Sequence, residues 1–325
     1  MRPVPPLIVA VSRLVGERYG DRLRAFAPGA RIVTPAEGGW PAEAQDAAVA
    51  YFSQDFWNSE ASRPVGGRLF ALPNLRWFHS FSAGVDHPAF RSLLERGVLL
   101  SNSSGSSSPS IAQYIIGMML RVSKRMDAWA EAQRARRWQP LETEELTGKT
   151  VGIIGVGAIG GEVARLAKAL GMRVIGLRRR RRPLRNVDEL LPPERLHELL
   201  SASDYVVLAV PLSSETDGMI GEAELRAMKP SAWLINIARG RVVREQALIE
   251  ALKVGSIGGA CLDVFEEEPL PPDSALWSLP NVIVTPHNSG WSPLNFERAS
   301  ELFVENFGRL AAGRPLRNRV RLRDL

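Results

Sequence analysis

The chain has 325 residues, 45% hydrophobic and 23% charged, with a net charge of +6, enough for two domains that each bury a core of their own. One cysteine, Cys261, excludes a disulfide framework and a thiolate metal cluster, and no metal site is expected. The apolar runs at residues 7–11 and 115–120 are too short for a signal sequence or a membrane span, so a cytoplasmic protein without a membrane partner is expected.

In chain order, the first hundred residues alternate short apolar runs with polar, helix-compatible stretches. The runs are "LIVAV" (7–11), "RIVT" (31–34), "AAVAYF" (47–52), "RWFHSF" (76–81) and "GVLLS" (97–101). This rhythm reads as α/β with a mainly parallel sheet. "SNSSGSSSPS" (101–110) reads as a hinge. One long helical pattern then covers about 110–136. A second series follows, with strand candidates at 150–155, 173–177, 205–210, 232–237, 259–264 and 282–285. Six such runs separated by helical stretches suit a doubly wound, Rossmann-type sheet. Residues from about 294 to 313 read as one amphipathic helix.

The first run of the second series ends in "GVGAIG", with glycines at 155, 157 and 160. Gly155 suits a tight turn, Gly157 the approach of a pyrophosphate and Gly160 close helix packing, with the helix N-terminus favouring the negative charge. The next run, "VIGL", ends in five arginines, Arg178 to Arg182. That strand tip carries an acidic residue where a ribose 2′-hydroxyl is bound and an arginine where a 2′-phosphate is. No Asp or Glu occurs between Gly171 and Asp188. NADP(H) is therefore the expected cofactor, with NAD(H) as the alternative. Arg178 and Arg179 are the main candidate contacts and Arg180 a third; Arg181 and Arg182 add long-range attraction.

Three later strand ends carry chemically specific groups: Arg239 in "ARG", Glu268 in "VFEEEP" and His287 in "PHNSG". Ligands of open α/β sheets bind beyond the carboxyl ends of strands, so these groups could converge with the cofactor. For each, a plainer role stands beside this one: a turn for Arg239-Gly240, a solvated acid for Glu268.

The blocks "GIIGVGAIG", "LINIARG", "GGACLDVFEEEPL" and "NVIVTPHNSG", with "WFHSFSAGVD" earlier, resemble the D-isomer-specific 2-hydroxyacid dehydrogenase family. Within it the chain is most similar to the glyoxylate/hydroxypyruvate (2-ketoacid) reductase branch. The resemblance implies that Arg239 binds the substrate carboxylate and polarises the keto oxygen, and that His287 is the acid/base with Glu268 as its partner. It implies that Ala83 and Gly84 hold the carboxylate through their N–H groups. Asp263 resembles the aspartate that bonds the nicotinamide carboxamide. Ala158, Ile159, Val210, Pro211, Thr216, Ile237, Ala238, His287 and Ser289 are the further implied cofactor contacts.

The implied architecture is a flavodoxin-like α/β substrate domain, residues 1–101, a dinucleotide-binding domain, 102–290, and a helix at 291–325 returning to the substrate domain. Closure of the two over the substrate is part of that expectation. The expected activity is reduction of a small 2-ketoacid. A dinucleotide-sensing regulator on the same fold is the competing reading, and the arginine run alone would also suit nucleic acid, which is not the expected partner. "AQY" at 112–114 departs from the Ala-Glu-His found in many members. Trp138 resembles a tryptophan that reaches a neighbouring subunit's site, implying a homodimer; a local core anchor is the alternative. His79 and His197 read as structural or surface groups, His87 as a neighbour of the substrate loop, and Cys261 as a core residue.

Overall fold

Strands alternate with helices through most of the chain. Strands β1 (Ile8–Ala10), β2 (Arg31–Val33), β3 (Val49–Phe52), β4 (Trp77–Ser80) and β5 (Leu99–Asn102) come first. Next are β6 (Thr150–Ile154), β7 (Arg173–Leu177), β8 (Glu189–Leu191), β9 (Tyr205–Leu208), β10 (Trp233–Asn236), β11 (Gly259–Leu262) and β12 (Val282–Val284), and last the two-residue β13 (Arg319–Val320). The computed structural model describes residues 7–37, 39–57, 60–179 and 183–324. The chain divides into two units, Met1–Ser106 with Ser292–Leu325, and Ser107–Trp291.

In the first unit the strand order is β13-β5-β4-β3-β1-β2, parallel except where β13 pairs antiparallel with β5. Without β13 this is the flavodoxin-like order. Successive residues of a strand face opposite sides, and both sides are covered. Ala50, Phe52 and Phe78 pack in one cluster, and Val49, Tyr51 and Trp77 in another with Phe296, Phe303 and Phe307 of the helix Pro293–Ala311. Phe303 stacks on Tyr51 at 4.5 Å and on Trp77 at 5.3 Å between ring centroids. Ser292 caps this helix by accepting from the Asn295 N–H, and Pro293 suits its first turn. The C-terminal helix thus belongs to the first unit.

In the second unit the order is β12-β11-β10-β9-β6-β7-β8, all parallel. This is the doubly wound order extended by one strand, with its switch point between β6 and β9. Val151 and Ile153 pack with Val163 and Ala167 of the helix Ala158–Ala169 and with Ile115 and Met119 of the helix Ser108–Ser123. Ile154, Val206 and Leu208 face the opposite layer, with Leu199 and Leu248. Burial on both faces explains why these strands read as continuous apolar runs and not as alternation.

The structure corrects three expectations. The helical pattern at 110–136 is two helices, Ser108–Ser123 and Met126–Arg134, separated where Arg125 takes a left-handed φ of 50°. The second sheet has seven strands among the described residues; β8, the extra edge strand, is only Glu-Leu-Leu, too short to stand out as an apolar run. β13 pairs at an edge through two residues, too few for any sequence pattern. No helix among the described residues is long and apolar enough to cross a membrane, and no group of three or more His, Cys, Asp or Glu side chains is arranged to hold a metal ion.

Candidate active site

The turn between β6 and the helix Ala158–Ala169 lies beside the switch point of the second sheet. Gly155 has φ 98°, and a Cβ there would come within 2.6 Å of the Ala209 carbonyl oxygen, so only glycine fits. A Cβ on Gly160 would meet the Gly155 carbonyl oxygen at 2.3 Å; its absence lets the helix close on the turn. Gly157 differs, because a Cβ there would meet no protein atom within 4 Å. The fold itself does not require glycine at this position. What glycine leaves is open space at a helix start that has no side-chain cap, where peptide dipoles favour a phosphate. Ala158 is exposed and Ile159 half-buried at that start. These residues fit a dinucleotide.

At the tip of β7, Arg178 is half-buried and its N–H donates to the Leu191 carbonyl at 3.0 Å. Asp188, the next acid in the chain, is bound at the other end of the strand. It accepts from the Val174 N–H at 2.8 Å and from Lys168 Nζ at 2.8 Å, so it supplies no carboxylate at the tip. Arg179 pairs with Glu215 at 2.6 Å. Glu215 lies in the segment after β9, and the sequence reading missed it because nothing along the chain links the two residues. Arg180 lies outside the described residues, as do Arg181 and Arg182.

Arg239, Glu268 and His287 follow β10, β11 and β12 at their carboxyl ends. His287 Nδ1 is 2.7 Å from Glu268 Oε2. An ionised carboxylate only accepts, so Nδ1 carries the proton and Nε2 is left for chemistry. Glu268 Oε1 accepts from the Phe265 N–H at 3.1 Å. Burial alone would push the Glu268 carboxyl up. The His287 hydrogen bond and charge, the Phe265 N–H and the Arg239 guanidinium outweigh it and hold the carboxyl below its ordinary 4.5. The pair's contribution to stability is thus present above that ordinary value and disappears only as pH falls through the lowered one.

Of the three consecutive acids, Glu268 is the one that meets His287. Glu266 instead accepts from the Glu245 N–H at 3.0 Å, and Glu245 accepts from the Glu266 N–H at 3.2 Å. Asn236 holds the turn carrying Arg239: its Oδ1 accepts from the Ala238 N–H and its Nδ2 donates to the Arg239 carbonyl, both at 3.0 Å. Arg239 Nη1 donates to the Ala238 carbonyl at 2.7 Å.

Comparison with known proteins bears on what this geometry is. Residues 116–289 match the description "D-isomer specific 2-hydroxyacid dehydrogenase, NAD binding domain". The chain belongs to the D-isomer specific 2-hydroxyacid dehydrogenase family. As a member it is an NAD(P)-dependent oxidoreductase acting on a CH–OH carbon. A glyoxylate reductase from Thermococcus gammatolerans is 43% identical over 238 residues, covering 70% of each chain. A family protein of known structure from Aeromonas salmonicida superposes with a TM-score of 0.83 at 31% identity, covering 98% of this chain and 100% of that one. An NADPH-dependent glyoxylate/hydroxypyruvate reductase from Sinorhizobium meliloti, in complex with NADP and sulfate, gives 0.79 at 26% identity, covering 98% and 99%.

The other residues that the family resemblance singled out are placed as follows. Asp263 is buried and already accepts three hydrogen bonds, from Thr285 Oγ1 (2.7 Å), the Asn288 N–H (3.0 Å) and the Ser289 N–H (3.1 Å). Thr216 is buried too; its hydroxyl donates to the Pro211 carbonyl at 2.6 Å and accepts from the Ser213 N–H at 2.8 Å, so it shapes its own loop. Val210 is half-buried beside Gly155, while Ile237 and Ala238 are buried at the end of β10. The Ser289 carbonyl accepts from Ser110 Oγ at 3.1 Å. In the first unit, Ala83 and Gly84 follow β4, and Asn102 Nδ2 donates to the Ala83 carbonyl at 2.7 Å.

The remaining histidines and Cys261 have local roles. His79 is fully buried between Ser101 Oγ (2.7 Å) and Ser103 Oγ (3.1 Å), and burial lowers its pKa to about 3, so it is neutral. His87 caps the helix Pro88–Glu95, and His197 pairs with Glu224 at 3.1 Å. Cys261 is buried in β11, and burial raises its thiol to about 12. Trp138 is 96% exposed, so it anchors no core within this chain.

Proposed function

We propose that the protein is an NADP(H)-preferring reductase of a small 2-ketoacid of the glyoxylate/hydroxypyruvate type. The observation that carries this reading is the 2.7 Å contact of His287 Nδ1 with Glu268 at neighbouring strand ends, beside the Arg239 turn. When bound, the reduced nicotinamide supplies the hydride. Glu268 orients the His287 ring by accepting from Nδ1, and His287 gives its Nε2 proton to the keto oxygen as that oxygen gains charge. Arg239 holds the substrate carboxylate in a two-point fork and polarises the carbonyl. Ala83 and Gly84 are proposed as backbone donors to the same carboxylate. Relatives described as glyoxylate reductases support this substrate class.

The NADP(H) preference is supported by Arg178 at the β7 tip, from which Asp188 is held away at the other end of the strand, and by related structures that hold NADPH and NADP. Arg179 would have to exchange Glu215 for a 2′-phosphate, which leaves Arg178 as the principal contact. We extend the proposal to a homodimer, supported by the exposed Trp138 and by Trp129, 40% exposed.

A panel of 2-ketoacids assayed with NADPH and NADH in parallel tests this reading. NADPH is expected to give the higher kcat/KM. Arg178→Ala is expected to lower the NADPH value by about 10- to 100-fold, the equivalent of one hydrogen bond to a charged group, and to leave the NADH value nearly unchanged. A clear NADH preference in the parent protein would refute the cofactor assignment.

A further inference from the structure

The mechanism above leaves the hydroxyl of Tyr114 unused. Tyr114 sits in the helix Ser108–Ser123. Its Oη is 2.8 Å from Thr285 Oγ1, and Thr285 Oγ1 is 2.7 Å from Asp263 Oδ1. The carboxylate can only accept, so Thr285 donates to Asp263, and Tyr114 therefore donates to Thr285. Asp263 in turn receives the N–H groups of Asn288 and Ser289 at 3.0 and 3.1 Å.

This chain encloses the acid/base residue. His287 has φ 49°, a left-handed backbone that a non-glycine residue holds only when its surroundings impose it. On one side its N–H donates to the Thr285 carbonyl at 3.1 Å. On the other side, the next two N–H groups are clamped by Asp263. Thr285 is common to both restraints.

We propose that Tyr114 is a positioning residue for His287, acting through Thr285 and Asp263 to hold the strained turn in which the imidazole meets Glu268. This rests on the reading of His287 as the acid/base. The Tyr114 hydroxyl directs the Thr285 proton onto Asp263, so that one carboxylate oxygen serves both Thr285 and Asn288 while the other serves Ser289. Without it, the Thr285 oxygen loses the donor that fixes its orientation and the clamp loosens.

The test combines Tyr114→Phe, which removes the hydroxyl alone, with Thr285→Val and Thr285→Ser. Tyr114→Phe should lower kcat by about 3- to 10-fold, the rate equivalent of one hydrogen bond, with little change in either KM. Thr285→Val should do the same, the double variant should be no worse than Thr285→Val, and Thr285→Ser should recover most of kcat. In the protein without cofactor, amide exchange at Asn288 and Ser289 should accelerate in Tyr114→Phe. Native kcat together with native amide exchange in Tyr114→Phe would overturn the proposal, and so would additive losses in the double variant. If the parent protein reduces no ketoacid, the functional reading falls, while amide exchange still decides whether Tyr114 holds the turn.

Discussion

Replacing His287 by Asn is expected to lower kcat by about 10²- to 10⁴-fold, the usual contribution of a positioned acid/base, with the affinity for NADPH nearly intact. Asn isolates the chemistry from the structure for two reasons. It is among the residues that tolerate a left-handed backbone, so the φ of 49° at this position need not relax. Its amide can also donate to Glu268, which keeps that carboxylate from losing its partner. What disappears is the group able to carry a proton to the keto oxygen. Stopped-flow binding and steady-state turnover on the same preparation separate the two effects. Unchanged kcat would remove His287 from its assigned role.

Gly240→Ala is the second large effect, and its cause is steric. A Cβ at Gly240 would lie 1.8 Å from the Phe265 carbonyl carbon and 2.3 Å from the Glu266 nitrogen. Both are backbone atoms, so no side chain can rotate to make room. Either the turn that follows Arg239 or the segment that leads to Glu268 has to move by about an ångström. A displacement of that size at a catalytic constellation costs about 10²-fold, and overpacking costs about 1–3 kcal/mol of stability. Gly240→Ala is thus expected to lose kcat/KM by two orders of magnitude while still folding, as read by kinetics alongside thermal denaturation. Near-native kcat/KM would show that the Arg239 turn and the Phe265 segment need not pack this closely.

The fold was legible because both sheets are buried on both faces. Strands such as β6 and β9 stand out as unbroken apolar runs between polar stretches, and the glycine turn falls where β6 ends. The elements that escaped are those that borrow their stability: β8 and β13 are edge strands of three and two residues. The break at Arg125 escaped because no Gly or Pro marks it.

The candidate site was legible in residue type but not in pairing. Arg239, Glu268 and His287 could be named from their strand ends, whereas only the fold separates Glu268 from Glu266. Gly240 reads as an ordinary turn glycine until Phe265 is placed against it. The chain from Tyr114 through Thr285 to Asp263 joins three distant segments, so no local spacing could reveal it. The signals available were the threonine two residues before His287 and a tyrosine near the start of the helix Ser108–Ser123.

The most direct measurement follows the hydride itself. NADPH deuterated at C4, prepared separately with the label on each face, is incubated with the protein and glyoxylate or hydroxypyruvate, and the product is analysed by NMR and mass spectrometry. The expected result is deuterium at C2 of the hydroxyacid with one of the two labelled cofactors, in one-to-one ratio with the NADPH consumed. Absence of deuterium from C2 with both labels, or oxidation of NADPH that does not depend on the ketoacid, would contradict a 2-ketoacid reductase.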